Sequence, residues 1–222
     1  ASRSMLFDLK KGKWSNSLCD LFSIPGDSLP EIRSTSGYFG STSTDGPLGK
    51  KVSIRSAVGD QQSSLFGQAC FKPGDTKNTY GTGSFILTNL GEEPPPVHDG
   101  LLTTVAWKLN PQSPITYAVE GSIFSTGATV QWLRDELGII NDSSELEELA
   151  ISSQNSGGVV IVPAFSGLGS PWWDPNARGI IFGLTRGVGK AELARATIEA
   201  MAFQTRDIIE AIKNNGISTP EK

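Results

Sequence analysis

Three features of the sequence predict an α/β or α+β fold. Short strand-like runs alternate with helical segments along the chain. One such run, Val52 to Val58, passes directly into a segment opened by Asp60. The longest helical pattern, Lys190 to about Asn215, follows the wholly apolar Val159-Val160-Ile161-Val162. No repeat of fixed period interrupts this alternation.

Met5-Leu6-Phe7 reads as a strand and Ser15 to Phe22 as a short helix, before a loop ending near Pro30. Residues 36–50 are rich in Gly, Ser and Thr and read as a surface turn. In the next run Val52, Ile54 and Val58 alternate with Ser53 and Arg55, the period-two pattern of a strand. Asp60 is then expected to cap a helix from Gln61 to Phe71, because Asp favours that position. Asn78 to Asn89 has strand character around a tight Gly81-Thr82-Gly83. Pro94 to Gly100 is a bend, and Leu101 to Leu109 and Ile115 to Val119 read as two paired strands.

Ser125 to Leu137 reads as a helix stopped by Gly138. Asp142-Ser143-Ser144-Glu145 opens another in the manner of a capping box. Val159 to Val162 is expected to be a buried strand, and residues 163–179 an irregular stretch whose Trp172 and Trp173 pack under a loop. The final helix has an apolar face of Ala194, Ile198, Met201, Ala202, Ile208, Ile209 and Ile212, ended by Gly216.

The 222 residues are 37% hydrophobic and 19% charged with a net charge of −4, which fits a globular protein of one large domain or parts of two. No dense basic stretch exists to neutralise nucleic-acid phosphates, and no apolar run is long enough to span a bilayer. Cys19 and Cys70 are expected to be reduced buried thiols, which points to a cytoplasmic protein. His98, the single histidine, sits in a loop without the company that a zinc site or a catalytic triad requires. The chain opens on Ala1 and stops just after a helix, so both ends are read as cut.

Gly183 to Lys190 imitates a phosphate loop, but Leu184 stands where its first Gly belongs and Ala191 where Ser or Thr would hold metal. Asp60 is the stronger candidate. A carboxylate at a strand end and helix start lies where α/β folds place ligands, and a helix N-terminus favours the ionised form that a general base needs. Gln61 beside it offers a donor and an acceptor to a hydroxylated substrate. Gly81-Thr82-Gly83 lets backbone approach an anion, while Gly127 and Gln131 share a helix face at i, i+4. Taken singly, each also fits a bland role: a helix cap, a β-turn, close helix packing.

In order, these features resemble one family. Gly59-Asp60-Gln61-Gln62-Ser63-Ser64-Leu65-Phe66-Gly67-Gln68 and Lys77 to Phe85 resemble the central region of glycerol kinases. Glu120-Gly121 through Gln131-Trp132-Leu133-Arg134-Asp135 and Val162 to Asp174 are similar to the same family. Gly179 to Gly187, leading to Glu192 to Glu199, resembles the second signature of the wider FGGY carbohydrate kinases. The resemblance implies an actin-like (ribonuclease-H-like) fold, with residues 1–68 ending a substrate-binding lobe and 69–222 beginning a nucleotide-binding lobe. It implies ATP-dependent phosphorylation of glycerol with Mg²⁺, by a homo-oligomer (dimer or tetramer). Asp60 would be the base, Gln61 and Phe85 would hold glycerol, and Thr82, Gly127 and Gln131 would line the nucleotide site. No protein ligand to a metal is implied within this stretch. A kinase for another polyol or a pentulose, or a noncatalytic actin-like binding domain, are the alternatives.

The family's N-terminal phosphate loop, its glycerol-holding Arg, Glu and Tyr, and its later Asp-Gly-Gly segment and Asn are not in this stretch. The 222 residues alone are therefore expected to turn over no glycerol. A coupled ADP-release assay checks this: glycerol-dependent release that disappears in Asp60→Asn overturns it.

Overall fold

The computed structural model describes residues 1–218. Two compact units are present, one made of Ala1–Lys77, Leu87–Val97 and Leu102–Val119, the other of Asn78–Ile86, His98–Leu101 and Glu120–Lys222.

In the first unit, β1 (Phe7–Asp8) and β2 (Lys13–Trp14) form an antiparallel pair whose Phe7 and Trp14 rings meet edge to face. Helix α1 (Asn16–Leu21) is capped by the Ser15 hydroxyl, which accepts from Leu18 N at 3.4 Å. Strand β3 (Ser36–Ser41) pairs antiparallel with β4 (Ser53–Ser56), with an irregularity between Ser36 and Gly40. This corrects the expectation of a surface turn over 36–50. Tyr38 and Phe39 give a Gly- and Ser-rich stretch enough strand preference to pair. The partner is shorter than the predicted run and exposed throughout, so Ile54 and Val58 do not reach the core.

Helix α2 (Asp60–Gly67) brings two further corrections. Its N-cap is Gly59, so Asp60 is the first helical residue. It stops four residues short of Phe71, because Ala69 takes a left-handed conformation (φ 58°) that ends the helix. Leu65 is fully buried, and Phe66 packs edge-on against Trp107 with ring centres 5.2 Å apart.

Strands β5 (Thr76–Tyr80), β6 (Ser84–Gly91), β7 (Leu102–Trp107) and β8 (Thr116–Ile123) form a four-stranded sheet in the order β5-β6-β8-β7. The inner β8 is buried at all eight positions, including Glu120. The turn at residues 81–83 divides what the sequence suggested was one segment, and the predicted pair after the proline-rich bend is β7 beside β8.

In the second unit, α3 (Gly127–Asp135) is followed by Gly138 at φ 58°, and α4 (Glu145–Ile151) starts from Ser144. The Glu145 carboxylate accepts from Asn141 N at 3.0 Å, not from Asp142 N, and Asp142 Oδ1 accepts from Ser144 N at 2.9 Å, so the predicted box from Asp142 does not form. Leu133, Ile140, Leu146 and Ala150 cluster with Ala194 of α5 (Lys190–Asn214). Strands β9 (Val160–Val162) and β10 (Ile180–Phe182) form an antiparallel ribbon. Ile161 and Ile181 face Ala196 and Ala200 of α5, but Val160, Ile180 and Phe182 are exposed. The strand expected to be buried therefore buries one face. On α5 the buried face is Ala194, Ala196, Thr197, Ala200, Ile208 and Ile212, while Ile198 and Ala202 of the predicted stripe are exposed. Gly121 lets the helix approach: a Cβ there would lie 2.3 Å from Ile208 Cγ2. No described helix is long and apolar enough to cross a membrane.

His98 belongs to a loop, as expected, yet is buried, and its Nε2 has no hydrogen-bond partner. Beside it, Asn215 Nδ2 donates to Asp99 O at 3.1 Å and Asn215 Oδ1 accepts from Asp99 N at 2.9 Å. Burial lowers the His98 pKa, against a smaller opposing effect of a hydrogen bond with Asn215. The unfolded chain thus takes up the proton first. Stability is full above the ordinary histidine value of about 6.5 and falls as pH drops through it toward the lower folded value. The lowered carboxylates Asp8, Asp135, Asp142 and Glu192 act in a separate window, as pH falls below about 4. Melting temperatures between pH 8 and pH 5 should therefore decline below pH 6.5 in the parent chain, and His98→Gln should flatten that limb.

Candidate functional site

Two groups of predicted site residues occupy two units, and each is built locally. In the first unit, Gly59 is extended and α2 starts at Asp60, so Asp60 and Gln61 stand in its first turn, Asp60 exposed and Gln61 half-buried. Asp60 Oδ1 accepts from Gln61 N at 2.8 Å, which holds the carboxylate over the helix start. Gln61 Oε1 accepts from the ammonium of Lys77. Gln62, one residue on, points inward and donates to Thr104 Oγ1 at 3.4 Å, fixing α2 to β7. A Cβ at residue 59 would lie 2.5 Å from Gln62 Oε1, so glycine keeps this corner tight.

A cleft of about 920 Å³ also opens in the first unit, lined in part by Arg3, Lys13, Arg33, Lys108, Gly59 and Gln62. Neither Asp60 nor Gln61 lines it.

In the second unit the turn at 81–83 and the start of α3 are locked together by main-chain bonds. Gly127 N donates to Gly81 O at 2.9 Å, and Thr126 N and Ala128 N both donate to Thr82 O at 3.0 Å. The Thr126 hydroxyl donates to Gly81 O at 3.1 Å and accepts from Ser84 Oγ at 3.0 Å. These bonds take up donors that a helix leaves open at its start. An anion meeting this edge would find the exposed Thr82 and the bare Cα of Gly127, not free amides of α3 at 127 and 128. Gln131 is exposed one turn further along α3. Thr82, Gly127 and Gln131 are thus brought together. Phe85, half-buried on β6, belongs to this unit and not to that of Asp60 and Gln61.

The two tryptophans differ. Trp173 donates to Gly100 O at 2.8 Å and meets Phe124 edge-on, whereas Trp172 is 63% exposed and does not pack under a loop. Lys190 of the false phosphate loop begins α5, where Glu192 accepts from Gly189 N at 2.8 Å. Among the described residues no group of three or more His, Cys, Asp or Glu side chains could hold a metal ion. Both cysteines are free and buried.

Sequence reasoning missed Lys77 and Thr126. Lys77 is 5% exposed, and a lysine just before a predicted strand carries no sign that it is buried. Thr126 could have been found, since Thr is a favoured residue at a helix start.

Comparison with known proteins gives a consistent picture. The N-terminal domain model of the FGGY family of carbohydrate kinases matches residues 1–67, and the C-terminal domain model matches 76–221. Glycerol kinase of Escherichia coli (strain K12 / DH10B) is 49% identical over 213 residues, which are 96% of this chain and 42% of that protein. The chain therefore spans less than half the length of this relative. The crystal structure of Plasmodium falciparum glycerol kinase with ADP superposes with a TM-score of 0.86 at 38% identity, over 96% of this chain and 43% of that one. Gluconate kinase from Lactobacillus acidophilus has a TM-score of 0.79 at 25% identity, over 97% of this chain and 44% of that one.

Gly127 offers a direct test of the locked turn. A Cβ there would lie 2.5 Å from Gly81 O and 3.2 Å from its carbonyl carbon, atoms that cannot rotate away. Gly127→Ala should destabilise the chain by about 1–3 kcal/mol in urea unfolding. Gly67→Ala, where nothing lies within 4 Å, should be close to neutral.

Proposed function

This chain belongs to the FGGY family of carbohydrate kinases, and from that premise we propose that its parent protein transfers the γ-phosphate of ATP to a terminal hydroxyl of glycerol. The observation that carries the reading is the exposed Asp60 with the half-buried Gln61 beside it at the start of α2, in a chain 49% identical to a glycerol kinase.

The Asp60 carboxylate accepts the hydroxyl proton as that oxygen forms its bond to the γ-phosphorus; the bond from phosphorus to the β,γ-bridging oxygen breaks and ADP leaves. Gln61 hydrogen-bonds a neighbouring hydroxyl, and Phe85 covers the carbon backbone. Thr82 contacts the nucleotide phosphates, while Gly127 and Gln131 line the nucleotide site. Phosphoryl transfer asks for positioning and charge stabilisation more than covalent chemistry, and that is what hydroxyl, amide and carboxylate groups supply. The described residues form no carboxylate cage for Mg²⁺, so no step is assigned to protein ligands of the metal. An ion carried by the nucleotide would rest mainly on phosphate oxygens and water. The lobe boundary near residues 68–69 belongs to the same proposal.

Exchanging the matching segment of the Escherichia coli relative for this chain provides the test. The chimera should phosphorylate glycerol in preference to xylulose and erythritol, and Asp60→Asn should lower kcat by about 10²–10⁴-fold. Equal rates on the three acceptors would reject glycerol as the substrate, and an undiminished Asp60→Asn would reject the base.

A further inference from the structure

Lys77 lies next to the proposed acceptor site but has no part in the reaction described above. It is 5% exposed, and its ammonium donates to Gln61 Oε1. A buried ammonium is costly unless oxygen atoms surround it, and the Gln61 oxygen is one of the groups that offset that cost. We propose that Lys77 is a positioning residue that fixes the polarity of Gln61, and through it the hydrogen-bond pattern that the substrate must match. This rests on the reading of Asp60 and Gln61 as the acceptor site.

The reasoning starts from what each group can do. A lysine ammonium has donors and no acceptor, whereas a glutamine amide has an oxygen at one corner and an NH₂ at the other. Facing Lys77, the amide must turn its oxygen inward, since the reverse orientation would set donor against donor. The bond is charge-assisted, hence stronger than a neutral one, and it holds the side chain against rotation. Gln61 Nε2 is left pointing elsewhere, with no partner among the described side chains. The first turn of α2 thus presents one fixed donor at Gln61 and one acceptor at Asp60.

A pair of neighbouring hydroxyls satisfies both, one oxygen accepting from Gln61 Nε2 while the other hydroxyl donates to Asp60. A ligand that places a carboxylate in the Asp60 position is repelled, and one that places a methylene against Gln61 leaves the amide unpaired. Without Lys77 the amide could turn over and offer its oxygen, and the discrimination would be lost.

Two measurements test this, one of which does not depend on turnover. In the 222-residue chain labelled with ¹⁵N, Lys77→Met should move the Gln61 side-chain amide signals toward those of a free glutamine, and Lys77→Arg should keep them near the parent position. In the chimera, Lys77→Met should raise the glycerol KM roughly tenfold, with kcat within about threefold and the ATP KM unchanged. Loss of a contact to a non-reacting hydroxyl acts on binding. Lys77→Arg should recover part of the loss, and Gln61→Glu, which deletes the donor, should reproduce it. Gln61 amide signals that do not respond to Lys77→Met overturn the proposal. So does a loss in kcat and in both KM values that Lys77→Arg fails to relieve. If Lys77→Met does not fold, the amide signals of Lys77→Arg and the KM of Gln61→Glu decide. A parent chimera inactive on glycerol refutes the acceptor-site reading, while the amide signals still judge the coupling of Lys77 to Gln61.

Discussion

The second unit is organised around a single junction, where α3 spends its leading amides on the carbonyls of Gly81 and Thr82. A helix start normally holds several unpaired donors, and a two-glycine turn has little rigidity of its own. Each supplies what the other lacks. The close approach explains why residue 127 is glycine, and why Gly83 is too: a Cβ there would lie 2.3 Å from Ile123 O. Rigidity at this turn comes from a helix far along the sequence. The main chain at Thr82 and the start of α3 are therefore held as one piece.

The first unit meets a different constraint. Gln61 and Gln62 are adjacent, yet the helix turns one toward the surface and the other toward Thr104. The inward residue anchors α2 to β7. Its outward neighbour is steadied by Lys77, a charge that burial would otherwise penalise. The packing of Leu65 and of Phe66 against Trp107 keeps the helix in place while its first turn remains open to solvent.

Much of this was legible in the sequence because the relevant signals are local. The start of α2 follows from strand residues giving way to Gly59-Asp60, and the extent of α5 from its apolar spacing and Gly216. What could not be read depends on neighbours distant in the chain. Residues 36–41 look like a turn by composition, and become a strand because residues 53–56 pair with them. Val160 looks buried by hydropathy, yet its face of the ribbon has no covering layer. The choice between Gly59 and Asp60 as the helix cap turned on one residue's backbone angles, which side-chain preference cannot resolve. Of the candidate site, the sequence pointed to Asp60, Gln61, Phe85, Thr82, Gly127 and Gln131, but not to the lysine behind Gln61. Its burial is decided by tertiary packing.

The ribbon of β9 and β10 has a consequence for the chain in solution. Val160, Ile180 and Phe182 lie on one exposed face, and Leu184 is exposed just beyond it. Each of the two strands has an outer edge without a strand partner among the described residues. Main-chain groups at an open edge beside apolar side chains form a template for intermolecular pairing. A net charge of −4 supplies modest repulsion, and salt screens it within about 10 Å at 0.1 M. Val160, Ile180 and Phe182 thus put apolar surface beside open strand edges, where added salt weakens the charge repulsion between two copies.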